Sequence, residues 1–234
     1  MIGIVDYNAG NITSVKRALD FIGVKSVLSK NPSDLEDASR IVFPGVGDAS
    51  YAMAQLKRSG FDLFLKDWAK NGKPLLGICL GSQIIFDYSE EGGVQCLGLI
   101  PGRIRHLKAV FSEKNVFVSS AFSEHFLKIP HIGWNSLAFQ NGSSYLLNHI
   151  HENSDFYFVH SYVICPDDEK VIKATADYGV KIPACVESGS VTAFQFHPEK
   201  SGVCGLQILR NFCCENDETS GERICKCSAE VTNA

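Results

Sequence analysis

Lys73-Pro-Leu-Leu-Gly-Ile-Cys79-Leu-Gly-Ser-Gln83-Ile-Ile-Phe86 decides the reading of this chain. It reads as a buried strand, a one-residue elbow and then a helix. Leu75, Leu76 and Ile78 form a short apolar run of the kind seen in a strand covered on both faces. Gly77 and Gly81 flank Cys79 in a Gly-x-Cys-x-Gly pattern, the nucleophile-elbow arrangement with sulfur in place of oxygen. Glycines let neighbouring backbone pack close to a strained turn, and the turn pushes the side chain out at the top of the sheet. A helix opening just past Cys79, read here as running from Ser82 to near Tyr88, places its N-terminal N–H groups near the sulfur and favours the thiolate. Cysteine is also a small buried hydrophobe, and this chain has nine, so the elbow needs support from elsewhere.

Outward from the elbow, apolar strands alternate with helical patterns. Residues 2–6 read as a strand with an acidic end, 7–11 as a turn, and 12–22 as a helix with Val15, Leu19 and Ile22 on one face and Gly23 as its C-cap. A second strand is expected over 25–28. A short helix follows, with Ser33 as N-cap and Glu36 three residues on. A third strand covers 41–43, and 48–69 is helical with a break at Ser59-Gly60. This alternation predicts an α/β fold, a doubly wound and mostly parallel sheet with helices on both faces and its working site at the carboxyl ends of the strands. Asp6, the turn after it, and the Pro44-Gly45-Val46-Gly47 loop all fall at such ends.

Beyond Gly98 the pattern changes to short strands, over 99–105, 116–118, 157–162, 171–175, 184–187 and 191–196, expected to pair as an antiparallel annex. A closing helix covers 202–212, with Leu206, Leu209 and Phe212 in its apolar stripe. Residues 213–234 are polar, carry cysteines without period and are expected to be poorly ordered, so the domain is placed at 1–212.

The bulk numbers exclude several classes. A net charge of −4 argues against nucleic acid as the main partner. No apolar run is long enough to cross a bilayer, and the first residues lack the basic start of a signal peptide, which makes the cytoplasm the expected compartment. There most of the odd, irregularly spaced cysteines are expected to be free thiols, and Cys225-Lys-Cys227 has no second ligand pair at zinc-site spacing.

The decisive support for Cys79 lies far downstream. The last strand ends in His197-Pro198-Glu199. Proline keeps the preceding residue extended, and in an extended run residues i and i+2 face the same way. Glu199 can therefore lie beside the His197 ring, fix its tautomer and stabilise its imidazolium. If that strand end neighbours the elbow, thiol, base and orienter form an activated nucleophile.

Gly77-Ile-Cys-Leu-Gly-Ser-Gln83 together with Phe194-Gln-Phe-His-Pro-Glu199 resembles the class I, triad-type glutamine amidotransferases. Asp6-Tyr-Asn-Ala-Gly-Asn11, Phe43-Pro-Gly-Val-Gly47, Pro130-His-Ile-Gly-Trp-Asn135, Phe158-Val-His-Ser-Tyr162 and His197-Pro-Glu-Lys-Ser201 make it most similar to the glutaminase subunits of imidazole glycerol phosphate synthase. The resemblance runs from Met1 to about Phe212.

The resemblance implies that Cys79 attacks the side-chain amide of glutamine while His197, held by Glu199, moves the protons. The oxyanion is then held by the N–H of Leu80 and one from Gly45-Val46-Gly47. Gln83, Glu91 and the His160-Ser161-Tyr162 segment recognise the glutamine. Asn11, His131, Trp134, Asn135 and Lys200 face a partner, a (β/α)₈ barrel cyclase that consumes the ammonia. No metal or cofactor is implied. Three other readings carry weight: a paralogous subunit that supplies ammonia to surface sugars, a non-catalytic regulatory module, and a stand-alone peptidase or γ-glutamyl hydrolase. The intact triad disfavours the module, and the docking-type motifs disfavour the lone hydrolase. The segment over 109–126 is longer than the family's usual link, and it and the tail bear on which synthase is served.

Overall fold

The computed structural model describes residues 1–8, 12–114, 116, 127–142 and 144–213. In chain order the first half holds β1 (Ile2–Val5), α1 (Ile12–Phe21), β2 (Ser26–Ser29), β3 (Arg40–Gly45), α2 (Ala49–Ser59), α3 (Phe61–Lys70), β4 (Leu75–Cys79) and α4 (Leu80–Ile84). The second half holds β5 (Tyr88–Ser89), β6 (Val94–Gln95), β7 (Gly102–His106), α5 (Leu107–Glu113), β8 (His131–Phe139), β9 (Asp155–His160), β10 (Tyr162–Pro166), β11 (Ile172–Asp177), β12 (Lys181–Ser188), β13 (Val191–Phe194) and α6 (Gly202–Cys213).

The main sheet runs β2-β1-β3-β4-β13-β12-β11-β8-β9. From β2 to β13 every pairing is parallel, and from β13 to β9 every pairing is antiparallel. The expected annex is thus continuous with the parallel half. A separate four-stranded sheet, β10-β7-β5-β6, was not legible from the sequence because two of its strands are only two residues long.

Alternation along the strands builds two cores. Ile2, Ile4, Val42, Leu76 and Ile78 point to the side covered by α1 and α6. Val5, Ile41, Phe43 and Leu75 point to the side covered by α2 and α3. Each such aliphatic or aromatic side chain taken from water contributes about 1.5–3 kcal/mol. The predicted α1 stripe of Val15, Leu19 and Ile22 is fully buried. The break between α2 and α3 sits at Gly60, whose φ of 78° ends one helix and redirects the chain.

Two local expectations are corrected. The helix after the elbow starts at Leu80 rather than Ser82 and ends at Ile84, and Tyr88 opens a strand instead. The short helix expected near Ser33 is a 3₁₀ turn over Pro32–Leu35 preceded by Asn31, because Pro32 takes its first position and the side chain of Asp34 bonds back to Ser29. Val116 lies among the described residues, but the rest of the strand expected over 116–118, Asn11 and the tail from 214 onward lie outside them.

The site owes its shape to how the antiparallel half curls. β9 is the far edge of the sheet, yet the Tyr157 carbonyl accepts from the His197 N–H at 2.9 Å. Phe156 packs on Phe196 at 4.5 Å, and the Ser201 hydroxyl joins the two segments by accepting from Tyr157 N and donating to the His197 carbonyl. The edge strand is thereby folded over the carboxyl ends of β4 and β13.

Candidate active site

Cys79 closes β4 at φ 53°, ψ −110°, a conformation that strains any residue with a side chain and that surrounding packing must enforce. The enforcement comes from the two glycines. A methyl on Gly81 would stand 1.9 Å from the Phe43 carbonyl oxygen, and one on Gly77 would stand 2.7 Å from the Gly81 oxygen. Only bare backbone lets β3, β4 and the start of α4 meet this closely. The Ser82 hydroxyl then locks the turn by donating to the Cys79 carbonyl at 2.6 Å.

His197 Nδ1 donates to Glu199 Oε1 at 2.8 Å, and both side chains are almost wholly buried. The pair forms differently from the extended run that the sequence suggests. Pro198–Lys200 is a 3₁₀ turn, so Glu199 reaches the ring by curling back beneath it. Burial works against the imidazolium, but the Cys79 sulfur and the Glu199 carboxylate outweigh it and lift the His197 pKa to about 9. Among the described residues Nε2 makes no hydrogen bond, and the Cys79 thiol donates weakly to the Val159 carbonyl at 3.8 Å. The free ring nitrogen and the sulfur face one cavity.

That cavity has a volume of about 390 Å³, within the range of small-molecule sites. Ten residues singled out from the sequence line it: Val46, Gly47, Cys79, Leu80, Gln83, Glu91, His160, Ser161, Tyr162 and His197. Gly45 lies just behind it, and Glu199 stands behind His197. Pro130 and Val159 also line it and were missed. Val159 is an ordinary strand residue that contributes through its backbone, so no side-chain signal announces it.

Each wall has a distinct chemistry. Gln83 donates its amide nitrogen to the Tyr162 carbonyl at 2.9 Å and to Gln195 Oε1 at 3.0 Å. The Gln83 amide is thus held rigid by Gln195, a second residue not foreseen. Glu91 accepts from the Ala49 N–H at 3.0 Å, at the start of α2. Burial raises the Glu91 carboxyl above its usual range, with this hydrogen bond opposing. Together with Asp48 it makes one end of the cavity acidic, suited to an ammonium group.

Beside Gln83, at the same Tyr162 carbonyl, a neutral histidine chain runs inward from β8. His160 Nδ1 donates to the Tyr162 carbonyl at 2.8 Å, which leaves Nε2 to accept from His131 Nδ1 at 3.0 Å. Asn135 lies 3.4 Å from His131 Nε2 and donates to the Asp177 carbonyl at 2.8 Å. Burial pushes the His131 pKa down to about 4. Burial first, then the neighbouring His131, pushes that of His160 down to about 3.

His131 therefore does not face a partner as expected. It is 2 % exposed, stacked on Tyr178 and Phe158 with its ring turned inward, because β8 alternates and position 131 falls on the core face. Ile132 and Trp134 are the exposed large side chains of β8, with Trp134 edge-on to Tyr157 and Lys200 over the same ring. Among the described residues no helix is long and apolar enough to cross a membrane, and no group of three or more His, Cys, Asp or Glu is placed to hold a metal.

The family model for class-I glutamine amidotransferases matches residues 3–216. The chain is 44% identical over 212 residues to "imidazole glycerol phosphate synthase subunit HisH" of Nitratidesulfovibrio vulgaris (strain DSM 19637 / Miyazaki F), covering 91% of this chain and 95% of the relative. It is 44% identical over 213 residues to the protein of the same name from Geobacillus kaustophilus, again covering 91% and 95%. Among solved structures it is similar to a glutamine amidotransferase (TM-score 0.66, 18% identity, 90% of this chain and 96% of the other). It is equally similar in fold to PurLQS from Thermotoga maritima (TM-score 0.66, 20% identity, 90% and 96%).

Proposed function

Since this chain belongs to the class-I glutamine amidotransferase family, we propose that it is the glutaminase subunit of an imidazole glycerol phosphate synthase, acting in histidine biosynthesis in the cytoplasm. The observation that carries the reading is the single cavity into which Cys79, His197 and the Gly45–Gly47 loop all converge.

The Cys79 sulfur attacks the side-chain amide carbon of glutamine, and the amide C=O becomes a tetrahedral oxyanion. N–H groups of Leu80 and of Val46 or Gly47 receive that oxygen. His197, polarised by Glu199, gives a proton to the departing nitrogen, which leaves as ammonia. A water then loses its proton to His197, attacks the thioester and frees glutamate and the thiol. Gln83 and the acidic end at Glu91 orient the amino-acid head.

Ammonia released into water is protonated and no longer a nucleophile, so it must pass directly to a partner. A (β/α)₈ barrel cyclase docked over Trp134, Asn135 and Lys200 suits that need. The exposed Ile132 and Trp134 supply the apolar anchor such an interface requires.

Glutamate release tests the reading, measured for the purified chain alone and with the barrel cyclase and its ribonucleotide ligand. Strong stimulation that disappears in Cys79→Ala is the expected result. Activity indifferent to the cyclase would redirect the ammonia to another acceptor, such as a surface sugar. Activity that survives Cys79→Ala would remove the triad assignment.

A further inference from the structure

Tyr7, two residues past the end of β1, is buried to 1 % exposure, and its hydroxyl makes no hydrogen bond among the described residues. A buried hydroxyl without a partner carries a desolvation cost that phenylalanine would avoid, and such groups in a native structure call for an explanation. Its position supplies one. The ring packs on Phe43, 5.2 Å between centroids, immediately before the Pro44–Gly47 loop. A methyl on Gly45 would stand 2.2 Å from the Tyr7 oxygen and 3.0 Å from the Gly81 N–H. The hydroxyl thus occupies the space a Gly45 side chain would take, wedged between the loop and the start of α4. Tyr7 does not line the glutamine cavity, whereas Val46 and Gly47 do. It lies beneath the loop, with the cavity above.

A trans peptide points its N–H and its C=O in opposite directions. Turning the Val46 N–H toward an oxygen above Cys79 therefore drives the Gly45 carbonyl downward, away from solvent. A carbonyl buried there needs a donor. In the present arrangement Gly45 is the last residue of β3 in register with β4, opposite Cys79, and outside the strand ladders neither Val46 nor Gly47 donates its N–H to another backbone group among the described residues. Burial and the nearby Cys79 charge both raise the Tyr7 pKa, which keeps the phenol protonated and a donor at all working pH values.

We propose that Tyr7 is a positioning residue of the oxyanion loop: its hydroxyl, unused in this arrangement, donates to the Gly45 carbonyl when the Val46 N–H turns to the tetrahedral intermediate. The inference rests on the glutaminase reading above. It assigns Tyr7 to the transition state alone, since the hydroxyl neither touches glutamine nor holds the resting fold.

Tyr7→Phe in the full chain tests it, assayed for glutamine hydrolysis with the cyclase and its ligand. The expected kcat loss is about tenfold or more, smaller than the loss on removing an oxyanion donor itself, with KM within about twofold. Thermal stability stays level or rises, because no existing bond is removed. Alkylation of Cys79 by iodoacetamide, which needs no oxyanion hole, keeps its rate. An unchanged kcat overturns the proposal. So does a fall in stability alongside kcat, which makes Tyr7 structural, or a changed alkylation rate, which makes it act on the sulfur. Wild-type protein that releases no glutamate under the same conditions fails earlier, at the glutaminase reading, and overturns both.

Discussion

His197 and His160 line the same cavity, and burial acts against the charged form of both, yet they end on opposite sides of the ordinary histidine value. His197 sits at the end of the parallel half, between a thiol and a carboxylate, and is held as an imidazolium. His160 sits on the antiparallel edge, between an imidazole and a backbone carbonyl, and is held neutral. Burial alone accounts for the neutral His160 but not for the charged His197. At His197 the neighbouring sulfur and carboxylate overturn it, and the fold supplies those neighbours by bringing a different half of the sheet to each histidine. One wall is built to move protons, and the other to stay fixed while it does so.

The sharpest way to break this contrast is to remove the sulfur. Cys79→Ala should lower glutamine hydrolysis by about 10⁵-fold or more, to background, with the fold intact. In the same variant an NMR titration should find the His197 pKa below about 9, because one of its two supporting charges is gone. A titration unmoved by the substitution would mean that Glu199 alone sets the ring.

Glu199→Gln should come next, with a kcat loss on the order of 10⁴-fold, since an amide can hold the ring but not its charge. Stability follows the same pair. The folded-state pKa of His197 lies above its unfolded value, so its contribution is complete below about pH 6.5 and fades as pH rises toward about 9. Wild type and Glu199→Gln should therefore differ most in urea midpoint just below about pH 6.5 and converge at high pH. Gly81→Ala attacks the frame instead. Its methyl would sit against the Phe43 carbonyl, which should cost about 3 kcal/mol or more and lower the Tm by roughly 10 °C.

The two walls were not equally legible in the sequence. The proton-moving wall announces itself locally. Glycines around a cysteine at a strand end, and His-Pro-Glu at another, are short patterns whose chemistry needs those residue types. Even there the route differs from the one the pattern suggests, since Glu199 reaches His197 by a turn and not by an extended strand. The fixed wall is assembled from long-range pairing. His131 and His160 face each other only because β8 and β9 pair in a register that sets 131 opposite 160. No local period encodes that, which is why His131 was read as outward-facing. Val159 works through its carbonyl and Gln195 through Gln83, and neither role leaves a mark on the residue type. The parallel half was readable for the opposite reason, because β1, β3, β4 and β13 are buried on both faces and read as short apolar runs.

His131→Phe sharpens the comparison from the fixed side with the smallest expected effect. The phenyl ring can keep the stacking on Phe158 and Tyr178 but cannot donate to His160. His160 Nε2 then becomes a buried acceptor without its partner, which costs about 1–3 kcal/mol, and activity should fall less than about tenfold because no proton in the reaction passes through this chain. The pH dependence separates this account from simple loss of packing. Both histidines are held below their unfolded values, so as pH falls from about 6.5 toward about 4 the unfolded chain takes up protons that the native wild type refuses, and wild-type stability drops across that window. The variant lacks one of these two groups, so fewer protons are refused on folding and its decline is shallower. Urea denaturation at pH 7.5 and at pH 4.5 should find the gap between the two proteins narrowing in acid. A gap that stays constant would mean the pair is not held neutral by burial, and the contrast between the two walls would then lose its physical basis.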